Sequence, residues 1–193
     1  MARFIAHADL VAAPWKNGGG STTEVAVFPR GAGFDDFDWR ISLATIARSG
    51  AFSVFPGIDR SLCLVAGDGV TLTLDGERRI TLSAANPLLW FAGEAAVHAD
   101  VASITTDFNV MTRRSRCRHQ LERVSVPAEL ARRSPTTLLF VADGGAVVAR
   151  AGARAYTLGL FDALLLDADD AMHWSLAAGA GAGATVFVAD LIT

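Results

Sequence analysis

The chain has 193 residues, 51% hydrophobic and 19% charged, with a formal net charge of -3 at pH 7. That balance fits a globular chain able to bury a core and excludes a disordered one. It lacks the basic excess by which proteins hold nucleic acid, and no run approaches the roughly 18 to 20 apolar residues of a membrane span.

The N-terminal "MARFIAHADLVAAPW" carries His7 and Asp9 inside too short an apolar stretch for a signal peptide. A cytoplasmic protein with neither nucleic acid nor membrane as partner is therefore expected. The next stretch, "PWKNGGGSTTE" from Pro14 to Glu24, is not a phosphate loop, because its lysine precedes the glycines. Two readings stay open for it. One is a tight turn with a stacked Trp15. The other is a pocket wall, in which Lys16 and Asn17 donate beside Gly18 and Gly19, whose backbone has no Cβ to block a ligand. In the second reading Glu24 pairs with Lys16 or Arg40.

From there alternation of period two dominates, in "TEVAVF", "DWRISLATI", "AFSVF", "VTLTL", "RRITL", "LLWF", "DFNVM" and "TVFVADLI". Gly, Pro, Asn and Asp separate these runs, which predicts an all-β sandwich or barrel. Side chains alternate along a strand. Phe37, Trp39, Ile41 and Leu43 should then share one face and Asp38, Arg40 and Ser42 the other. Thr22, Glu24 and Ala26 should oppose Thr23, Val25 and Val27. Phe108 and Val110 should oppose Asp107, Asn109, Met111 and Arg113. Each polar set is either a wet outer face or the lining of an internal site, and a pocket needs only a few such groups on an apolar wall. In "SGAFSVFPGIDRSL", Pro56-Gly57 marks a turn, Phe52 and Phe55 offer flat apolar surface, and Arg60 is suited to forked carboxylate recognition.

The basic run from Arg113 to Arg123 reads as a solvated strand and loop. "PAELARR" (Pro127 to Arg133) has helix character, with proline where a first turn tolerates it. The Ala/Gly-rich "LAAGAGAGATV" reads as a flexible hairpin before the last strand.

An internal repeat underlies the pattern. Shifted by 76 residues, Leu64 to Asp100 lies without a gap on Phe140 to Leu176, and Gly69 and Gly76 meet Gly145 and Gly152. Two related β-modules follow, about 1–124 with the N-terminal strands and 125–193. The first is richer in polar residues. The apolar second module makes a homodimer reasonable.

Cys63 and Cys117 are too few for a disulfide framework or a four-ligand zinc site. Cys63, in "SLCLV", reads as a buried small hydrophobe. His7, His98, His119 and His173 form no ligand-like local pair, so neither a metal nor any other cofactor is expected.

"PWKNGGGST-E", "FDWRIS-A", "SG-FS-FPG--R" and "D-NVM-RR" together resemble the HutD/Ves family, in its order, and the resemblance spans essentially the whole chain. It implies an RmlC-like cupin fold with two jelly-roll barrels in one chain, a bicupin. It also implies a role beside bacterial histidine-utilisation genes, restraining that pathway, with urocanate or formylglutamate as ligand. Some relatives are linked to stress responses instead, and no catalytic activity is firmly attached to the family. Where metal-binding cupins carry their ligands, the matching register here brings Ser53, Phe55 and Arg60, which cannot hold a metal.

The leading expectation is a small-carboxylate-binding protein without catalysis. Its site draws on Trp15, Lys16, Asn17, Gly18, Gly19, Glu24, Arg40, Ser42, Phe52, Phe55, Arg60, Asp107, Asn109 and Arg113. A metal-independent cupin isomerase or hydrolase, moving protons through Lys16, Glu24 or Asp107, is the second reading. A non-catalytic interaction module is the third.

Overall fold

The computed structural model describes residues 1–179 and 183–193. Strands are numbered along the chain, and two compact units emerge, Val11–Arg118 and Met1–Leu10 with His119–Thr193. The sequence division near 124 therefore falls six residues late by this partition, and the first ten residues belong with the second unit.

The first barrel holds β2 (Ala12–Pro14), β3 (Gly20–Phe28), β4 (Trp39–Ile46), β5 (Gly50–Ala51) and β6 (Ile58–Ala66). It continues with β7 (Val70–Leu74), β8 (Arg78–Leu82), β9 (Leu88–Ala92), β10 (Val97–Asp100) and β11 (Thr105–Arg113). A six-stranded sheet, in the order β2-β3-β4-β11-β6-β9, and a four-stranded one, β5-β10-β7-β8, share one core. Ile46, Leu62, Leu64, Leu89 and Phe91 of the larger sheet pack with Val70, Leu72, Leu74, Leu82, Val97 and Ala99 of the smaller. That cluster fixes which face of each strand points inward.

The second barrel holds β1 (Arg3–Ile5), β12 (Arg118–Val126), β13 (Ala128–Ala131), β14 (Thr136–Gly144) and β15 (Val147–Ala151). It ends with β16 (Arg154–Leu158), β17 (Ala163–Leu166), β18 (His173–Ala178) and β19 (Ala184–Ile192). Its sheets are β1-β17-β14-β19-β12 and β13-β18-β15-β16, around a core that includes Leu139, Val141, Leu164, Leu166, Trp174 and Val188.

The repeat is real in strand order, since β6 to β11 recur as β14 to β19 with the same neighbours, except that β9 is an edge strand and β17 is also flanked by β1. A constant shift of 76 does not hold, however. Val70 pairs with Leu82, and its buried counterpart Val147 pairs with Leu158, so the first position moves by 77 and the second by 76. One residue of slip turns a strand over. The inward Leu64 therefore corresponds to Val141 rather than to Phe140.

"PAELARR" is not helical. Ala128–Ala131 is β13, paired with β18 in register Leu130 to Trp174, because burying Leu130 on that sheet outweighs local propensity. The Ala/Gly-rich segment is not a paired hairpin either, since β18 and β19 lie in different sheets; its residues 180–182 lie outside those described. Among the described residues no helix is long and apolar enough to cross a membrane.

Candidate functional site

β11 runs through the middle of the large sheet of the first barrel, so its inward side chains meet those of β4 and β6. Register places Met111 between Arg40 and Arg60, and Asn109 between Ser42 and Leu62. Since Leu62 belongs to the interior cluster, this polar set faces the core and not water. The apolar set Trp39, Ile41, Leu43, Phe108 and Val110 occupies the opposite face and is buried too. Two details depart from simple alternation. Phe37 precedes β4 and packs with Ile58 and Met111 on the inner side. A bulge between Glu24 and Ala26 puts Glu24 beside Ser42 and Val27 beside Arg40.

Arg60 is 6% exposed and points among three rings. Its guanidinium carbon lies 4.9 Å from the Phe91 centroid, 5.5 Å from Phe52 and 5.6 Å from Phe55. These are cation–π contacts. Its polar contacts are long: Nη2 donates to Asn109 Oδ1 at 3.4 Å and Nη1 to the Ser53 carbonyl at 3.5 Å. Nε has no acceptor among the described residues. Burial, and then the positive charge of Arg40, lower its pKa to about 10, and no carboxylate acts in the other direction. Arg60 is still a cation at neutral pH, buried and without a counter-ion among the described residues.

Arg40 differs. Its Nε donates to Glu24 Oε2 at 3.0 Å, and its guanidinium sits 4.7 Å over the ring of Phe34. Phe34 is exposed and leans on Phe55 at 5.7 Å. Asp107 lies further along the inner face of β11, level with Ala44 and Leu64. It is fully buried, and both its carboxylate oxygens lack a hydrogen-bond partner among the described residues. Burial alone raises its pKa to about 7. Cys63 is buried as expected, and burial with the nearby Asp107 raises its thiol pKa.

The glycine run is a turn. Gly18 has φ +65°, Gly19 N donates to Asn17 Oδ1 at 2.9 Å, and Arg48 donates to the Gly18 carbonyl at 2.6 Å. A Cβ on Gly20 would fall 2.1 Å from the Thr45 carbonyl oxygen and 3.0 Å from the Trp15 ring. Trp15 packs against the barrel core and donates from Nε1 to Thr22 Oγ1 at 2.7 Å. Lys16 and Asn17 are exposed. Gly20 is level with Ile46 and Thr105, six residues and about 20 Å along the sheet from the Arg40–Met111–Arg60 row. The turn thus lies at the far end of the sheet from that row.

Arg113 is also engaged elsewhere: Nε donates to the Phe37 carbonyl at 2.9 Å and Nη2 to that of Asp35 at 2.8 Å, bracing the loop before β4. Arg114, beside the surface cleft at Gly57, is saturated by Asp59 and Glu94. The Arg114 guanidinium and the Gly57 N–H hold the Glu94 carboxyl down to about 2. The structure therefore gathers Arg40, Ser42, Phe52, Phe55, Arg60, Asp107 and Asn109 on one interior, with Glu24 at its edge. It adds Phe91 and Phe34, which the sequence reading missed. Phe91 was accessible from the alternation of "LLWF", whereas Phe34 sits in the aperiodic "GAGFDDF". Among the described residues no three His, Cys, Asp or Glu side chains group as metal ligands, and the cationic Arg60 suits the interior to an anion.

The second barrel provides an internal control. Pairing registers align Arg60, Leu62 and Leu64 with Thr137, Leu139 and Val141, and Asp107, Asn109 and Met111 with Val186, Val188 and Asp190. The counterparts of Asn109 and Asp107 are valines. Thr137, the counterpart of Arg60, is satisfied at once, donating to Asp190 Oδ1 at 2.6 Å and accepting from Arg132 Nε at 3.2 Å. One fold thus carries a closed polar group in one barrel and an open one in the other.

Two β-barrel units of this topology in one chain define a bicupin. A cupin barrel protein from Leptotrichia buccalis shares the fold, with a TM-score of 0.61 at 11% identity over 94% of this chain and 92% of its own. The HutD family model matches residues 7–184, and the chain belongs to that family. An uncharacterized 21.2 kDa protein from the hutC 3' region of Pseudomonas putida is 37% identical over 158 residues, 81% of this chain and 82% of that one. Protein Ves of Citrobacter koseri is 37% identical over 162 residues, 83% and 76% of the two chains. HutD from Pseudomonas fluorescens SBW25, whose structure comes from a formate condition, superposes with a TM-score of 0.84 at 28% identity, over 100% of this chain and 98% of its own.

Proposed function

We propose that this chain binds a small carboxylate inside its first barrel and acts in the cytoplasm as a non-catalytic sensor or buffer of a histidine-utilisation intermediate. Urocanate and formylglutamate are the candidates, and both carry a carboxylate. The observation that carries this reading is Arg60: a buried cation with no acid beside it, an unpaired Nε and three rings around it. A buried charge is costly unless it is paired, and a bound anion supplies the missing pair. The flat ring walls suit a conjugated or extended body. Family membership and the hutC-region relative support the metabolic setting.

The test is a thermal-shift screen of histidine-pathway intermediates, followed by calorimetry. A ligand at a hundred times its dissociation constant adds about 2.7 kcal/mol to stability. Stabilisation by a carboxylate, lost in Arg60→Gln, supports the reading; an unchanged response in that variant defeats it. A metal-independent enzyme is the second reading. Its specific support is Asp107, a sealed carboxyl poised to hold a proton near neutrality. Product formation that ceases in Asp107→Asn would favour it.

A further inference from the structure

Asp107 is the feature that anion binding at Arg60 does not use. It precedes Asn109 by two residues on the same inward face, about 7 Å along β11. Its level neighbours are Ala44 and Leu64, and across the barrel the inward residues are Val70, Leu72, Val97 and Ala99. Two carboxyl oxygens are therefore enclosed with no hydrogen-bond partner among the described residues. The fold does not require a carboxylate at that level, because the second barrel places Val186 there.

We infer that the molecule held at Arg60 also carries an N–H donor directed at Asp107, roughly 7 Å deeper along the strand direction than Asn109. The inference rests on the reading that Arg60 takes the carboxylate. Both ends are closed off from bulk water, so a molecule reaching them loses its hydration and must be compensated group by group. A donor at the inner end satisfies Asp107, whereas a second carboxylate there would set two acids against each other, and one of them would have to stay protonated. The ligand class is accordingly a monocarboxylate with an azole, amide or ammonium N–H at its far end, not a dicarboxylate lying along β11. A site built to bond such a donor discriminates strongly against an analogue lacking it.

Calorimetry with a matched pair tests this. Urocanate and 3-(furan-2-yl)acrylate share a carboxylate on a flat body, but the second has a ring oxygen and no N–H. The parent protein is expected to bind urocanate at least tenfold more tightly. Asp107→Leu, whose branched apolar side chain removes both acceptors, should abolish that preference and leave furanylacrylate within about twofold. Arg60→Gln should weaken both ligands alike. Equal affinity of the parent for the two, or a preference that survives in Asp107→Leu, overturns the inference. So does failure to bind either while formylglutamate binds in an Arg60-dependent way. Arg60→Gln leaving both affinities unchanged instead removes the carboxylate anchor itself, a separate failure. The comparison on the parent alone decides the matter should the Leu variant not fold.

Discussion

Arg40 and Arg60 stand on either side of Met111, on the same inward face of one sheet, and only Arg40 has a carboxylate partner. Burial, and after it the positive charge of Arg40, lower the pKa of Arg60, so some repulsion between the two guanidinium groups remains although Glu24 pairs with Arg40. An anion at Arg60 relieves that repulsion and pairs the free Nε. Truncating one member of a buried charge pair costs about 2–5 kcal/mol of binding. Arg60→Ala should therefore weaken carboxylate binding at least thirtyfold, as measured by calorimetry. Arg60→Lys should recover only part of it, because an ammonium cannot form the forked contact.

Asp107 gives a pH signature that needs no ligand. Burial raises its folded-state pKa to about 7 from 3.8, so the folded chain holds a proton that the unfolded chain has released over that interval. Stability from this group is therefore greatest below pH 4, falls between about pH 4 and 7, and is constant above. The drop is on the order of 4 kcal/mol. Asp107→Asn, which cannot ionise, should match the parent near pH 4 and exceed it by a few kcal/mol at pH 8. Urea melts at the two pH values check this, and a parent profile flat from pH 4 to 8 would contradict it.

That signature was not legible in the sequence, and the reason is physical. Alternation correctly placed Asp107, Asn109 and Met111 on one face, because the pleat forces it. It could not say whether that face met water, since this depends on the small sheet, whose β7 and β10 carry the Val70, Leu72, Val97 and Ala99 cover. The same limit explains the glycine run. "PWKNGGGST" named a turn and a pocket wall with equal chemistry, and only the register of Gly20 with Ile46 put it at the far end of the sheet. The repeat was visible through its glycines and apolar runs. The one-residue slips that turn β14 over relative to β6 were hidden, because Val, Leu and Ala occupy both of its faces.

The turn and the binding row should separate under mutation. Gly20→Ala drives a Cβ to within 2.1 Å of the Thr45 carbonyl, a backbone atom that cannot swing away. Forced overpacking of this kind costs about 1–3 kcal/mol and sometimes more. Thermal melts should show that loss in Gly20→Ala, while Lys16→Ala, on an exposed side chain, leaves both stability and carboxylate affinity near the parent values. A tenfold loss of affinity in Lys16→Ala would return the loop to the pocket.

The second barrel makes the complementary prediction. Arg132 is 4% exposed, and it donates to the Asp170 carbonyl at 3.1 Å, to Ala171 at 3.2 Å, to Asp167 at 2.9 Å and to Pro135. Its Nε reaches Thr137, whose hydroxyl is bonded to the buried Asp190. Where Arg60 makes only two long polar contacts, Arg132 is already spent on four carbonyls and a hydroxyl, so its work is structural. Arg132→Met leaves those acceptors without a donor, which should cost several kcal/mol in all, at about 1–3 kcal/mol for each buried group left unpaired. Because its partners all lie within Pro135–Ala171, the fraction that remains folded should bind carboxylate as the parent does. Calorimetry below the shifted melting temperature checks this. A variant that keeps its stability but loses the ligand would assign Arg132 to binding and reverse the roles given to the two arginines.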